Sequence, residues 1–382
     1  YVKKDQMNYL LAACPGSGKS WAAASVAGLL FKNAVIDRVI AFSPSEEKRK
    51  EWANDLSLFG VETTPKWSGR KNPPDANGIS VTYHWFDDWL DNLKVFASKP
   101  CLVIFDEIHH LARGRYWGEK ARSAFGQPSA RTLGLTGTPF RSDNYQIPFI
   151  NYDSEGKAKV DWEYSYGDAL KDDGVVRNCH FKKYGGRMRW DSPTTGEKEE
   201  HTFEEDLSDD LQSQRLQTAI NPELNYLRAP LRDAHQRLEK IRETHQDAGG
   251  LIVAKNTHQI LGTGEYDTGL IDLVRDVAGH EPVVVKSDDY GAHDKIDKFR
   301  NSTDRWVIAI KMISEGVDIK RLRVGLYASH ITTRMFIHQV VGRVIRTIDG
   351  RDDRSSWFYF PRDPRIVPAI NNIEKMMRHE IE

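Results

Sequence analysis

The chain has 382 residues, 39% of them apolar and 29% charged, with a formal net charge of −1 from 54 basic and 55 acidic side chains. That length exceeds what one hydrophobic core usually organises, so two domains are expected. The near-neutral balance excludes a globally basic nucleic-acid coat, and any such surface must be a local patch. No apolar run approaches bilayer-spanning length, and no secretory signal is read at the start. The three cysteines, Cys14, Cys101 and Cys179, are too scattered for a metal knuckle or a disulfide framework, and a reducing, cytoplasmic setting fits them.

Tyr9–Ala12 reads as a short strand and Trp21–Leu30 as an Ala-rich helix. Between them lies Ala13-Cys14-Pro15-Gly16-Ser17-Gly18-Lys19-Ser20. Strand, glycine loop and a helix opening on Gly-Lys-Ser form the pattern of a phosphate-binding loop. Gly16 and Gly18 let the backbone from Pro15 to Ser20, Ser17 included, turn its N–H groups toward an anion. The helix start adds its dipole and unpaired N–H groups. Lys19 would supply a point charge at the β- and γ-phosphates of ATP, and the Ser20 hydroxyl a ligand for Mg²⁺. The general pattern carries glycine where this chain has Ala13. The first strand begins almost at residue 1, so a fragment of a longer protein is expected.

Further along, Arg38–Phe42 reads as a buried strand ending in Ser43-Pro44-Ser45, with a charged helix through Trp52. Gly78–Tyr83 reads as a strand, His84–Leu93 as a helix, Cys101–Phe105 as a strand and Arg131–Leu135 as another. Runs apolar on both faces, alternating with helices, argue for a parallel sheet covered on both sides. From about Tyr152 the character changes. Val175–Trp190 alternates like strands, with Gly185-Gly186 suggesting a hairpin turn. Asp191–Asp210 is acidic and reads as loop, and Leu211–His245 as one helix stopped by Gly249-Gly250. A second α/β alternation follows, with strands at Leu251–Ala254, Pro282–Val285, Trp306–Ile310, Val324–Ala328 and Trp357–Phe360, and a helix from Arg334 to about Thr347.

Asp106-Glu107-Ile108-His109 ends a buried strand at the edge where open parallel sheets bind ligands. Asp106 can hold Mg²⁺, and Glu107 can orient and deprotonate an attacking water. Leu135-Thr136-Gly137-Thr138-Pro139 ends the next strand with turn chemistry that is weak alone. Arg343 and Arg346, three apart on a helix, share a face and suit an arginine-finger role on a γ-phosphate. The stretch His180–Trp190 interleaves bases and aromatics. It is either a base-stacking hairpin or, with somewhat greater weight, an amphipathic hairpin packed on its own domain.

Taken in order, Ala13–Ser20, Ser43–Ser45, Val81–Tyr83, Asp106–His109, Leu135–Pro139, Glu315–Asp318 and Gln339–Arg346 resemble the motif ladder of superfamily-2 helicases of the DExH type. Within that superfamily the likeness is to the group shared with type III restriction subunits. The resemblance spans roughly Asn8–Arg141 and Leu251–Arg346. It implies two RecA-like parallel-sheet domains with an inserted α+β accessory segment. The boundaries would be 1–155 for the ATP-binding domain, 156–247 for the accessory hairpin, acidic loop and linker helix, 248–364 for the second RecA-like domain, and 365–382 for a helical tail. ATP and Mg²⁺ would be the cofactors. Lys19, Asp106, Glu107, Gln339, Arg343 and Arg346 would act in catalysis, with Gly316 and Asp318 touching the nucleotide. Ser43, Pro44, Ser45 and Thr82 from the first domain, and Lys255, Thr257, Ser287 and Ser314 from the second, would contact a nucleic-acid strand, DNA being favoured over RNA. His109 would link the acidic motif to Gln339 or to Thr136–Thr138. The activity implied is a nucleic-acid-stimulated ATPase, either a helicase or a translocase subunit of a restriction or defence complex that separates no strands, with a nuclease or other complex partner compatible with both. A P-loop phosphotransferase acting on a small molecule and a non-catalytic nucleic-acid scaffold are the rivals from other classes.

Overall fold

A computed structural model describes residues 6–69, 73–112, 115–137, 146–172, 175–264, 267–286, 291–310, 319–348, 350–351 and 354–378, and the chain divides into two units, Tyr1–Ser165 and Tyr166–Glu382.

Unit 1 runs β1 (Asn8–Ala13), α1 (Lys19–Lys32), β2 (Arg38–Ser43), α2 (Glu46–Leu58), β3 (Thr63–Thr64), β4 (Gly78–Thr82), α3 (Trp85–Asp88), α4 (Leu90–Phe96), β5 (Cys101–Asp106), α5 (Arg115–Phe125), β6 (Ala130–Thr136) and β7 (Trp162–Tyr164). Among the described residues these strands form one sheet in the order β3-β4-β2-β5-β6-β1-β7, every pairing parallel. The period-two alternation of the strands feeds two cores. Val39, Ala41, Leu102 and Ile104 pack with Ala23, Ala24 and Ala27 of α1 and Trp52 and Leu56 of α2. Ile40, Phe42, Val103 and Phe105 face Phe86, Phe96 and Phe125 on the other side. Both faces are covered, which is why these strands read as continuous apolar runs. The small residues of α1 allow close packing: a Cβ on Gly28 would lie 2.4 Å from the Phe59 carbonyl oxygen. The helix expected over His84–Leu93 is split into α3 and α4 at Trp89, whose backbone is not helical.

Unit 2 contains α6 (Tyr166–Lys171), β8 (Asn178–Tyr184), β9 (Met188–Asp191), β10 (Lys198–His201), α7 (Asp209–Ala219), α8 (Asn225–Arg242), β11 (Gly249–Ala254), α9 (Thr257–Leu261), α10 (Leu270–Ala278), β12 (Val283–Val285), α11 (Ala292–Arg300), β13 (Trp306–Ile310), β14 (Leu322–Ala328), α12 (Arg334–Val344), β15 (Ser355–Pro361) and α13 (Val367–Arg378). The second sheet has the order β12-β13-β11-β14-β15-β8 and is parallel throughout. The expected fold class, two RecA-like parallel sheets with an α+β insertion, is thus present.

Four local expectations in unit 2 are corrected. Gly185-Gly186 is not a hairpin turn. β8 leaves its sequence neighbour and pairs with β15 as an edge strand, and β9 pairs antiparallel with β10. The acidic stretch read as loop therefore supplies half of the real hairpin. The long helix over Leu211–His245 is two helices, because Leu224 is extended and restarts the chain as the N-cap of α8. Gly249 and Gly250 do not stop a helix but open β11. A Cβ on Gly250 would strike the Trp306 ring at 2.3 Å, so glycine is required there by close packing.

Candidate functional site

The sheet order of unit 1 gathers its motifs at one edge. β5, β6 and β1 are neighbours, so the acidic pair, Gly137 and the phosphate-loop sequence all leave the sheet side by side at its C-terminal edge. Gly16 and Gly18 take φ of 87° and 81°, the left-handed region that glycine enters without penalty. Gly18 is the N-cap of α1 with no side-chain cap, so the first-turn N–H groups lack an intrachain acceptor from a capping side chain. A Cβ built on Gly18 would meet nothing within 4 Å. This is open space at a helix N-terminus, where an anion fits.

Lys19 reaches back over the loop. Its Nζ donates to the Ala13 carbonyl oxygen at 3.1 Å and lies 3.9 Å from Glu107 Oε1. Glu107 Oε2 accepts from the Gly137 N–H at 3.4 Å and sits 3.5 Å from His109 Nδ1. A Cβ on Gly137 would come within 3.3 Å of Lys19 Nζ, so the turn after β6 closes directly on the lysine. Glu107 holds φ 53°, a strained conformation for a residue with a long side chain. Burial alone would raise its carboxyl, but Lys19, His109 and the Gly137 N–H outweigh it and hold Glu107 below the usual range. It is a carboxylate at neutral pH.

Asp106 behaves in the opposite way. It is 5% exposed, and burial, with the Glu107 charge beside it, raises its carboxyl above the ordinary value. Trp52 Nε1 donates to Asp106 Oδ2 at 3.0 Å and Tyr83 Oη donates to the Asp106 carbonyl at 2.8 Å. Two adjacent acids thus have their affinities pushed apart, which separates their roles. Ser20, at the start of α1, and Asp106 offer hydroxyl and carboxylate oxygens, a donor set suited to a hard divalent cation carried in on phosphates. The open space at Gly18 and the Lys19 ammonium suit the triphosphate.

The strand-contact candidates lie at the same edges. Ser43 Oγ is fully buried and donates to backbone carbonyls of Ser45 and Val81. Ser45 caps α2 by accepting from the Lys48 N–H. Pro44 is half-buried between them, and Thr82 ends β4, beside β2. In unit 2, Lys255 follows β11 and its Nζ donates to Gln217 Oε1 at 3.3 Å, while Thr257 opens α9 behind an Asn256 cap. Gln339 is half-buried on α12, Arg343 is buried near its end, and Arg346 forms a bridge to Val176. Ser287, Ser314, Gly316, Asp318, Thr138 and Pro139 lie outside the described residues.

Three residues around these motifs are not singled out by sequence. Trp52 is one apolar position in a charged helix, and Tyr83 is the last residue of a strand motif. Arg177 is fully buried, and its guanidinium donates to Leu322 O, Val344 O and Lys320 O at 2.7, 3.2 and 2.8 Å. It ties Val344, the last residue of α12, to the start of β14. Arg343 lies on that last turn, but Arg346 lies past the helix end, in a bridge to Val176, so the two arginines do not share a helix face as expected. Such a role shows only in the fold, where the guanidinium meets carbonyls from elements far along the chain. The basic-aromatic stretch also resolves. Arg187 and Arg189 both pair with Glu200, and Trp190 donates to Gln214 Oε1 at 2.8 Å beside a small core of Met188, Phe203 and Ala219. The second half of the stretch is thus self-packed, in the β9–β10 hairpin, while its first half is the edge strand β8, so His180–Trp190 is not itself a hairpin.

The family model of the type III restriction enzyme res subunit matches residues 1–141. The uncharacterized protein Rv2917 of Mycobacterium tuberculosis is 34% identical over 99% of this chain and 62% of its own length. The chain therefore spans less than two thirds of that relative. Among solved structures, the ATP-dependent type ISP restriction-modification enzyme LlaBIII bound to DNA is similar over 98% of this chain and 29% of its own, with TM-score 0.60 and 13% identity. Saccharomyces cerevisiae Dbp5 bound to RNA and ADP BeF3 is similar over 98% of this chain and 84% of its own, with TM-score 0.55 and 13% identity. With the ordered motifs set on two parallel sheets and the restriction-subunit match over the first of them, the chain is similar to superfamily-2 helicases.

Proposed function

We propose that the chain is a nucleic-acid-stimulated ATPase that converts ATP and water to ADP and phosphate. The observation that carries this reading is the grouping of Lys19, Glu107 and Gly137 around the open N-terminus of α1. Lys19 exchanges its Ala13 carbonyl for the β- and γ-phosphates. Glu107, ionised and fixed by three neighbours, orients the attacking water and takes its proton as the phosphoryl group transfers. Mg²⁺, when bound, neutralises charge on the phosphate oxygens, and Ser20 and Asp106 would hold it. Gln339, Arg343 and Arg346 of unit 2 are assigned to the same hydrolysis on the helicase resemblance, with the guanidiniums offsetting charge on the transferring phosphoryl group. Strand contact through the β2 and β4 edge, and through the β11 edge of unit 2, uses phosphates more than bases. The two solved structures of this fold, one on DNA and one on RNA, support a nucleic-acid partner.

The test is the ATPase rate with single-stranded DNA, duplex DNA, RNA and no polymer, at two salt concentrations. Stimulation by at least one polymer, weakening as salt rises, is expected. Hydrolysis that ignores every polymer would favour small-molecule phosphotransfer instead. A duplex-unwinding assay then separates a helicase from a translocase that opens no strands.

A further inference from the structure

Between the strand-contact edge and the acidic pair, unit 1 holds a column of aromatic rings. Glu107 Oε2 is 3.5 Å from His109 Nδ1. The His109 ring stacks on His110 at 4.8 Å and 28°. His110 stacks on Tyr83 at 5.4 Å and 18°, and Tyr83 on Trp117 at 6.2 Å and 16°. Trp117 meets the edge of His84 at 5.3 Å and 89°. His84 is exposed and lies two residues beyond Thr82 at the end of β4. The column therefore starts at solvent beside the strand-contact motif and ends on the water-activating carboxylate.

Tyr83 is the joint of this column. It is 2% exposed. Its ring backs the histidine stack, and its hydroxyl donates to the carbonyl of Asp106 at 2.8 Å. That carbonyl belongs to the peptide leading into Glu107, whose left-handed φ of 53° must be held by its surroundings. One side chain thus fixes both the backbone entering Glu107 and the rings behind its carboxylate, while its chain neighbours Thr82 and His84 form the turn expected to meet a strand. Burial, with Asp106 and Glu107 nearby, pushes the phenol well above its ordinary value, so the hydroxyl remains a donor. Packed rings and a single hydrogen bond transmit a displacement because neither can deform gradually.

We propose that Tyr83 is a positioning residue that transmits strand occupancy at the Thr82–His84 turn to Glu107, through its bond to the Asp106 carbonyl and through the His110–His109 stack. This rests on the reading of the chain as a strand-stimulated ATPase. Tyr83→Phe keeps the ring and removes the hydroxyl bond. Trp117→Leu removes the outer ring at a half-buried position. Both are compared with the unaltered chain for ATPase with and without a saturating oligothymidine strand, for ATP KM, for strand affinity by fluorescence anisotropy, and for melting temperature.

Tyr83→Phe is expected to retain ATP KM and strand affinity while its strand-stimulated kcat falls roughly tenfold, the loss of one buried hydrogen bond read in a rate. Its ratio of stimulated to basal rate collapses toward one. Trp117→Leu keeps its basal rate and loses part of the ratio. A purely structural tyrosine would lower both rates together or the melting temperature, leaving the ratio intact. An unchanged ratio in Tyr83→Phe, with the unaltered chain clearly stimulated, overturns the inference alone. An unaltered chain that no polymer stimulates removes both the inference and the functional reading beneath it.

Discussion

Replacing Glu107 by Gln tests the chemistry at its centre, because it removes a charge and a base while preserving shape. Two effects of opposite sign follow. The carboxylate lies 3.9 Å from Lys19 Nζ, and both side chains are largely buried, at 22% and 11% exposed. At an effective dielectric near 20, that separation corresponds to a raw attraction of about 4 kcal/mol. Desolvation of both partners offsets most of it, leaving on the order of 1 kcal/mol. Without this competitor Lys19 is more available to phosphates, so nucleotide affinity should hold or improve up to about fivefold. Hydrolysis should behave differently. General-base assistance contributes roughly 10²–10⁴-fold, and Gln can orient a water but not take its proton. The assay pairs fluorescent-nucleotide binding with single-turnover hydrolysis, which separates affinity from chemistry. A variant that hydrolyses at more than half the normal rate, or that loses the nucleotide, would refute the role given to Glu107.

Other consequences follow from particular contacts. Asp106 titrates above the ordinary carboxylate range because of burial and then Glu107, and the Trp52 N–H opposes that rise. Activity should fall on the acid side as Asp106 takes up its proton, and Trp52→Phe should move that limb to higher pH in a kcat–pH profile. A limb that stays in place would show the indole bond to be idle. Replacing Arg177 with Met removes its buried bonds to Leu322 O and Val344 O and its part-buried bond to Lys320 O, costing about 3 kcal/mol, seen as a melting drop on the order of 6–12 °C. Thermal unfolding indistinguishable from that of the unaltered chain would reject the clamp. In the β9–β10 hairpin, bonds to Glu205 and Glu199 raise His201 above its ordinary value. A raised histidine stabilises fully below its unfolded value and loses that contribution as pH rises through the folded one. Amide exchange of β10, corrected for intrinsic rate, should therefore be more protected at about pH 6 than at pH 9. The reverse order would place the source of hairpin stability elsewhere.

What could be read from sequence followed from the range of the interactions. The strand, loop and helix around Lys19 are contiguous, and β5 announces itself as an unbroken apolar run ending in two acids, so the pieces of the site were visible one at a time. Their meeting followed from the parallel-sheet rule, since β5, β6 and β1 release their loops at the same edge. The failures concern distant partners. Nothing near Gly185 says that β8 will pair with β15, about 180 residues on, so two adjacent strands and two glycines looked like a hairpin. The break at Leu224 was hidden because the helical pattern resumes at once. Arg177 and Tyr83 act through groups far along the chain, Arg177 on carbonyls of β14 and α12, Tyr83 on the end of β5 and the rings behind it. Neither residue type marks such a role by itself.

The most direct test of the account is equilibrium binding of Mg·ATP to the chain and to Lys19→Ala, followed by fluorescence or calorimetry without any polymer. The lysine's polar partners are the Ala13 carbonyl and Glu107, with Gly137 beside it, so its removal should lower the melting temperature by no more than a few degrees while weakening nucleotide binding at least tenfold, as loss of a charge-assisted contact predicts. Equal affinity in the two proteins would mean that the phosphates do not sit on the N-terminus of α1.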